Sequence, residues 1–229
     1  VVVWYMRKKR EFLRQRFFQQ INRVRMENLR SRISPHFTFN VLGREINQFN
    51  GSEEVKHNLM ELVKYLRRSL ELTEKLSVSL QDELDFVRTY IELERGRVGE
   101  NFVATITVED GLDATRIMIP SMIVQIPVEN AIKHGLAGKD GKKELMVYVS
   151  RETNGIRITV TDNGRGYLPQ VVFATRGTGT GLKVLYQTIQ LLNTKNKSDK
   201  IRFNITNRSD GQTGTEVSVY IPFRFSYDL

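Results

Sequence analysis

Up to about residue 98, apolar positions recur every three or four residues; from residue 102 the pattern changes to β-branched runs of strand length. Residues 5–33, rich in Arg, Gln, Glu and Leu and free of Gly and Pro, read as one helix. Phe17, Ile21 and Val24 form a short seam on it, suited to a partner helix. Ser34 and Pro35 fit the N-cap and first positions of a second helix, which restarts or kinks there. That helix has an apolar stripe, Phe39, Leu42, Ile46 and Phe49, and a polar stripe, His36, Asn40, Arg44 and Asn47. After the turn "NGSEE", Val55, Leu59, Leu62, Leu66 and Leu70 predict a returning helix, hence an antiparallel hairpin. Leu80, Leu84, Val87 and Ile91 predict a further helix, ending near "GRVGEN".

The second half reads as strands at 102–108, 145–151, 156–162, 201–206 and 216–222, with helical stretches near 121–136 and 181–193. The expected fold class is α + α/β: a helical hairpin followed by a two-layer α/β sandwich. The expected units are a basic helix (1–33), the hairpin (34–78), and a connecting helix with the sandwich (79–229).

Charge changes this picture at one end only. The chain carries +9 at neutral pH, yet residues 1–33 alone hold ten Lys and Arg against two acids. The remainder is close to neutral, which argues against direct nucleic-acid binding by the body of the protein. The opening "VVVWYMRKKR" places Trp and Tyr directly before four cations, the pattern of the cytoplasmic edge of a transmembrane helix. Its six apolar residues are too few to span a bilayer, which takes about 20. The expectation is therefore an inner or plasma membrane protein of which these residues are the cytoplasmic part, a soluble basic helix being the alternative. Cysteine is absent, which excludes disulfides and thiolate metal sites.

Three segments carry candidate chemistry. In "VENAIKHGL" (128–136), Val124, Val128, Ala131 and Gly135 make a buried face, while Asn130 and Lys133 share another with Glu129 nearby. An amide oxygen can ligate Mg²⁺ and an ammonium can meet phosphate. In "VTDNGRGY" (160–167), a strand ends in Asp162, and Gly164 and Gly166 let the backbone pass close to a ligand. In "RGTGTGLKVLYQTIQLL" (176–192), glycines that include Gly179 and Gly181 open an apolar-periodic helix, a site suited to phosphate. Each has a plain alternative: a surface helix, an Asp-Asn-Gly turn, a flexible loop. There is no Walker A run and no Ser/Thr kinase signature.

Taken in order, and with the late "GQTGTEVSVYIP" (211–222), these segments resemble the ATPase superfamily of gyrase, heat-shock chaperones, histidine kinases and mismatch-repair proteins. The resemblance implies a Bergerat-type sandwich binding ATP with Mg²⁺. Asn130 would hold Mg²⁺ and Lys133 approach the phosphates. Asp162 would accept from the adenine amino group, Gly164 and Gly166 would shape the floor, and Thr215 would support the adenine side. Residues from about 167 to 180 would form a lid, with Gly179 and Gly181 near the phosphates.

The first half narrows the family. "SPHFTFN" resembles the phosphoacceptor motif of LytS-type sensor histidine kinases, and "LQDELDFVRTYIELERGR" (80–97) is similar to their connecting helix. By this resemblance His36 is the phosphorylated histidine; a neutral imidazole is a competent nucleophile near pH 7. Asn40, one turn on, would orient it. The resemblance also implies a homodimer built as a four-helix bundle, and transfer of phosphate to a response regulator, in similar systems one carrying a LytTR DNA-binding domain. The chain departs from the family at Thr38, Gly43 and Pro127, and lacks the common Asn and Arg after "GTGTGL". Phe37 stands where many histidine kinases carry an acid, which leaves Glu129 as the candidate proton acceptor. Those departures motivate an alternative, an ATP-binding pseudokinase scaffold acting by dimer contacts. A DNA-dependent ATPase is disfavoured by the charge distribution.

Overall fold

The structure is a computed structural model that describes residues 75–167, 180–194 and 198–227, with residues 4, 8, 58, 61, 62, 64–66, 68, 69, 71, 72 and 196. His36, Asn40, Gly179, the helix expected at 5–33 apart from Lys8, and nearly all of the expected lid lie outside the described residues. Among the described residues no helix is long and apolar enough to cross a membrane.

The described positions from 61 to 72 are helical, and Leu62 and Leu72 are buried, in keeping with the helix expected from Val55 to Leu70. A short strand β1 (Ser77–Ser79) follows and pairs antiparallel with β3 (Met118–Pro120). This pair has no counterpart in the sequence expectation, because three residues are too few to show alternation. Helix α1 (Leu80–Val98) is capped by Ser79, whose side chain accepts from the Asp82 N–H at 3.0 Å. Its predicted face, Leu80, Leu84, Val87 and Ile91, is buried. Gly99 ends it with a positive φ of 108°.

The five-stranded sheet has the order β2-β4-β5-β7-β6, built from β2 (Phe102–Val108), β4 (Lys143–Glu152), β5 (Gly155–Asp162), β6 (Arg202–Asn207) and β7 (Thr215–Pro222). Only β2 and β4 run parallel. Alternation sends Leu145, Val147 and Val149 into the core and leaves Met146 and Tyr148 exposed on the other face. The helices α1, α2 (Gln125–Asn130, continuing as a π-turn through Ala131–Gly135) and α3 (Thr180–Asn193) share that core with the sheet. The molecule is thus the two-layer α/β sandwich expected, with its five long strands within two residues of the predicted limits.

Two junctions position the site. The predicted helix at 121–136 begins only at Gln125, and Pro127 falls in its first turn, where a missing N–H costs nothing. At its end the spacing widens: Leu136 N–H bonds to the Ala131 carbonyl at 2.8 Å, five residues back. This turn delivers Gly135 to the end of β5.

Candidate functional site

α2 carries three of the candidate residues on a half-buried face. Glu129 and Lys133, one turn apart, form an ion pair. Asn130 donates its amide N–H to the Ile126 carbonyl at 2.9 Å, so its side-chain oxygen is the atom that could ligate a metal ion. His134 follows; burial first, then the Lys133 and Arg165 charges, holds its pKa below the ordinary value, while Glu129 opposes them. Its neutral form is thereby favoured.

The end of β5 supplies the second group. Asp162 is buried, and its Oδ1 accepts from the Gly164 N–H at 2.8 Å. Burial raises its pKa, opposed by bonds from the Gly164 and Thr215 N–H groups and the Thr215 hydroxyl, and by the Arg208 charge. So the carboxylate is desolvated yet held by donors at the places where an anionic acceptor benefits. Thr215 is the first residue of β7, so the last motif of the sequence reaches the same carboxylate.

Glycines let these pieces touch. A Cβ at Gly164 would lie 2.1 Å from the Gly135 carbonyl oxygen, and one at Gly135 would lie 2.7 Å from Asp162 Oδ1. The loop after β5 therefore rests backbone-to-backbone on the end of α2, and the Arg165 N–H bonds the same Gly135 oxygen at 3.3 Å. Gly166 takes φ 86° beside Asn207, whose side-chain oxygen accepts from the Tyr167 N–H at 2.5 Å. Gly214, at φ 140°, closes on the Asp162 carbonyl, where a Cβ would lie 1.9 Å away.

The structure thus brings Asp162 and Gly164 into direct contact, with Thr215 and Gly166 close by. Glu129, Asn130 and Lys133 lie on the helix that ends against this group. Gly181 lies in the first turn of α3, which packs against α2. Sequence reasoning assigned no role to Gly214, Asn163, Asn207 or Arg208. Asn163 accepts from the Glu144 N–H at 2.8 Å and donates to the Lys142 carbonyl at 3.0 Å, fixing the start of β4 beside the loop. These are long-range backbone contacts, for which a single sequence carries no signal beyond turn composition.

The arrangement offers a desolvated acceptor at one end and a cation with an amide oxygen at the other, the layout a nucleotide needs. Comparison with known proteins points the same way. Residues 24–102 match the family described as histidine kinase, and residues 115–224 the family of histidine kinase-, DNA gyrase B- and HSP90-like ATPases. The chain is 32% identical over 199 residues to the sensor histidine kinase/phosphatase LytS of Staphylococcus aureus, covering 82% of this chain and 33% of that protein. It is 28% identical over 205 residues to the sensor histidine kinase YpdA of Escherichia coli, covering 89% and 35%. It therefore spans about a third of the length of these relatives. Among solved structures, the histidine kinase domain of the Erythrobacter litoralis blue-light activated histidine kinase matches with a TM-score of 0.50 at 15% identity. That match covers 90% of this chain and 94% of that one, and it speaks to the fold alone.

Proposed function

Because the chain belongs to the histidine kinase family, we propose that it binds ATP with Mg²⁺ in the site between α2 and β5, phosphorylates itself on His36, and passes the phosphoryl group to an aspartate of a response regulator. The observation that carries this reading is the contact of Asp162 and Gly164 with Gly135, at the end of the helix that bears Asn130 and Lys133.

Asp162, ionised, accepts from the adenine amino group, while Gly164 and Gly166 keep the floor free of side chains. Lys133 meets the phosphates as a point charge. Among the described residues no three side chains of His, Cys, Asp or Glu converge on a metal position. A magnesium ion at Asn130 would therefore complete its shell with phosphate oxygens and water, as Mg²⁺ usually does. In the transfer, a nitrogen of the neutral His36 imidazole forms the new bond to the γ-phosphorus. The bond from that phosphorus to the bridging oxygen breaks and ADP leaves with the electron pair. The imidazole proton goes to a base, for which Glu129 is the candidate. Such transfer depends on alignment and charge neutralisation more than on covalent participation of the protein.

A homodimer joined through the hairpins, a membrane anchor before the basic helix, and a regulator of the LytTR kind complete the proposal. Titration calorimetry with Mg²⁺ and a non-hydrolysable ATP analogue tests the site. Binding that is lost at least tenfold in Asp162→Ala supports the reading, and binding indifferent to Asp162 overturns it.

A further inference from the structure

α2 begins without a cap of its own. Its N-cap position is Val124, which has no side-chain acceptor, and no acid stands in its first turn. The cap comes instead from α1. Glu83 is fully buried; its Oε1 accepts from the N–H groups of Val124 at 2.9 Å and Gln125 at 3.2 Å, and its Oε2 from that of Met122 at 2.7 Å. Met122 has φ 70°, a conformation that costs a non-glycine residue energy and that aims its N–H at the carboxylate. A buried carboxylate is tolerated where several donors and the positive end of a helix meet it, as here.

The same turn is tied to the helical segment that carries Tyr65 and Leu72. The Ser121 hydroxyl donates to the Leu72 carbonyl, and the Gln125 amide donates to the Tyr65 hydroxyl at 3.4 Å. The far end of α2 is pinned separately, by the contact of Gly135 with Asp162 and Gly164. Between the two pins lie Glu129, Asn130 and Lys133. A helix rises about 1.5 Å per residue, so Asn130 lies less than two turns from the Glu83 contacts and inherits any displacement there.

We propose that Glu83 is a positioning residue for nucleotide binding: by capping α2 from α1, it sets where Asn130 and Lys133 meet the phosphates and the metal. This rests on the ATP reading of the site. The adenine end depends on the other pin and is independent of Glu83.

Glu83→Gln keeps the shape and one accepting oxygen, but puts an amide NH₂ where Oε2 receives the Met122 N–H. In the full chain, calorimetry compares two probes: the Mg²⁺ complex of a non-hydrolysable ATP analogue, and adenosine, which engages the Asp162 end alone. The expected result is at least tenfold weaker binding of the first and less than twofold change in the second. In an Asn130→Ala, Lys133→Met background the effect of Glu83→Gln shrinks to under threefold, because both groups it positions are gone. Equal losses for both probes, an undiminished effect in that background, or no change in either probe would overturn the proposal. If Glu83→Gln is unfolded by circular dichroism, Glu83→Asp, with the charge kept and the reach shortened, is judged by the same pattern. A wild-type chain that binds neither probe would overturn the ATP reading itself, and the proposal with it.

Discussion

At Gly164 a single added methyl group would meet the Gly135 backbone, 2.1 Å from its oxygen, with no flexible side chain to yield. Gly164→Ala is therefore expected to destabilise the fold by about 1–3 kcal/mol, measured by denaturant unfolding. An exposed turn glycine such as Gly138, where a Cβ meets nothing, supplies the control for conformation alone. Asp162 gives a pH prediction. Its folded-state pKa is raised, chiefly by burial, and the ionised form is the better acceptor for the adenine amino group in the proposed complex. Nucleotide affinity is therefore expected to fall as pH drops through that raised pKa, above the usual aspartate range. In the nucleotide-free protein the sign reverses: the preference for the protonated form stabilises the fold at low pH, and that contribution is lost as pH rises through the same pKa. Titrations of affinity and of stability against pH should therefore slope in opposite directions across the same interval. Asp162 and Gly164 stand out in the sequence because one short motif carries both, and Thr215 only through the order of motifs along the chain. Gly214 and Asn207 do not, because their importance lies in backbone approaches from distant parts of the chain.

Among the elements, α1 and α2 depend on each other, since Glu83 of one caps the other. α1 itself is capped locally by Ser79, so Ser79→Ala should cost about 1 kcal/mol, read from the unfolding midpoint, while leaving nucleotide affinity within twofold. Helix α1 and the five long strands were legible from periodicity because each presents one regular face to the core. β1 and β3 were not, being only three residues long. The π-turn at Ala131–Gly135 was also hidden: its residues pattern like an ordinary helix, and the widened hydrogen bond exists because Gly135 must reach Asp162 and Gly164. The late start of α2 has a related cause, since its cap is supplied from some forty residues away and leaves no Ser, Thr, Asp or Asn at the N-cap.

For the whole molecule, order along the chain was more informative than any one motif. Four weak segments in the family's sequence implied a sandwich, and the sheet order β2-β4-β5-β7-β6, with helices packed into one face, is that sandwich. The charge asymmetry belongs to this scale too, being concentrated in residues 1–33 ahead of the described body. Tyr65 stacks on Phe86 at 4.9 Å and on Tyr90 at 5.8 Å, so the returning helix and α1 meet through aromatic faces just below the α2 junction. Tyr65→Ala is accordingly expected to lower autophosphorylation more than it lowers adenosine binding, a split read by comparing label incorporation with calorimetry. Phosphorylation of His36 by ATP bound at this site is read out by incubating the chain with γ-labelled ATP and Mg²⁺. Acid-labile label on the wild type that is absent from His36→Gln is the predicted result. Label that persists in His36→Gln, or an unlabelled wild type that nonetheless binds the nucleotide tightly, would contradict it.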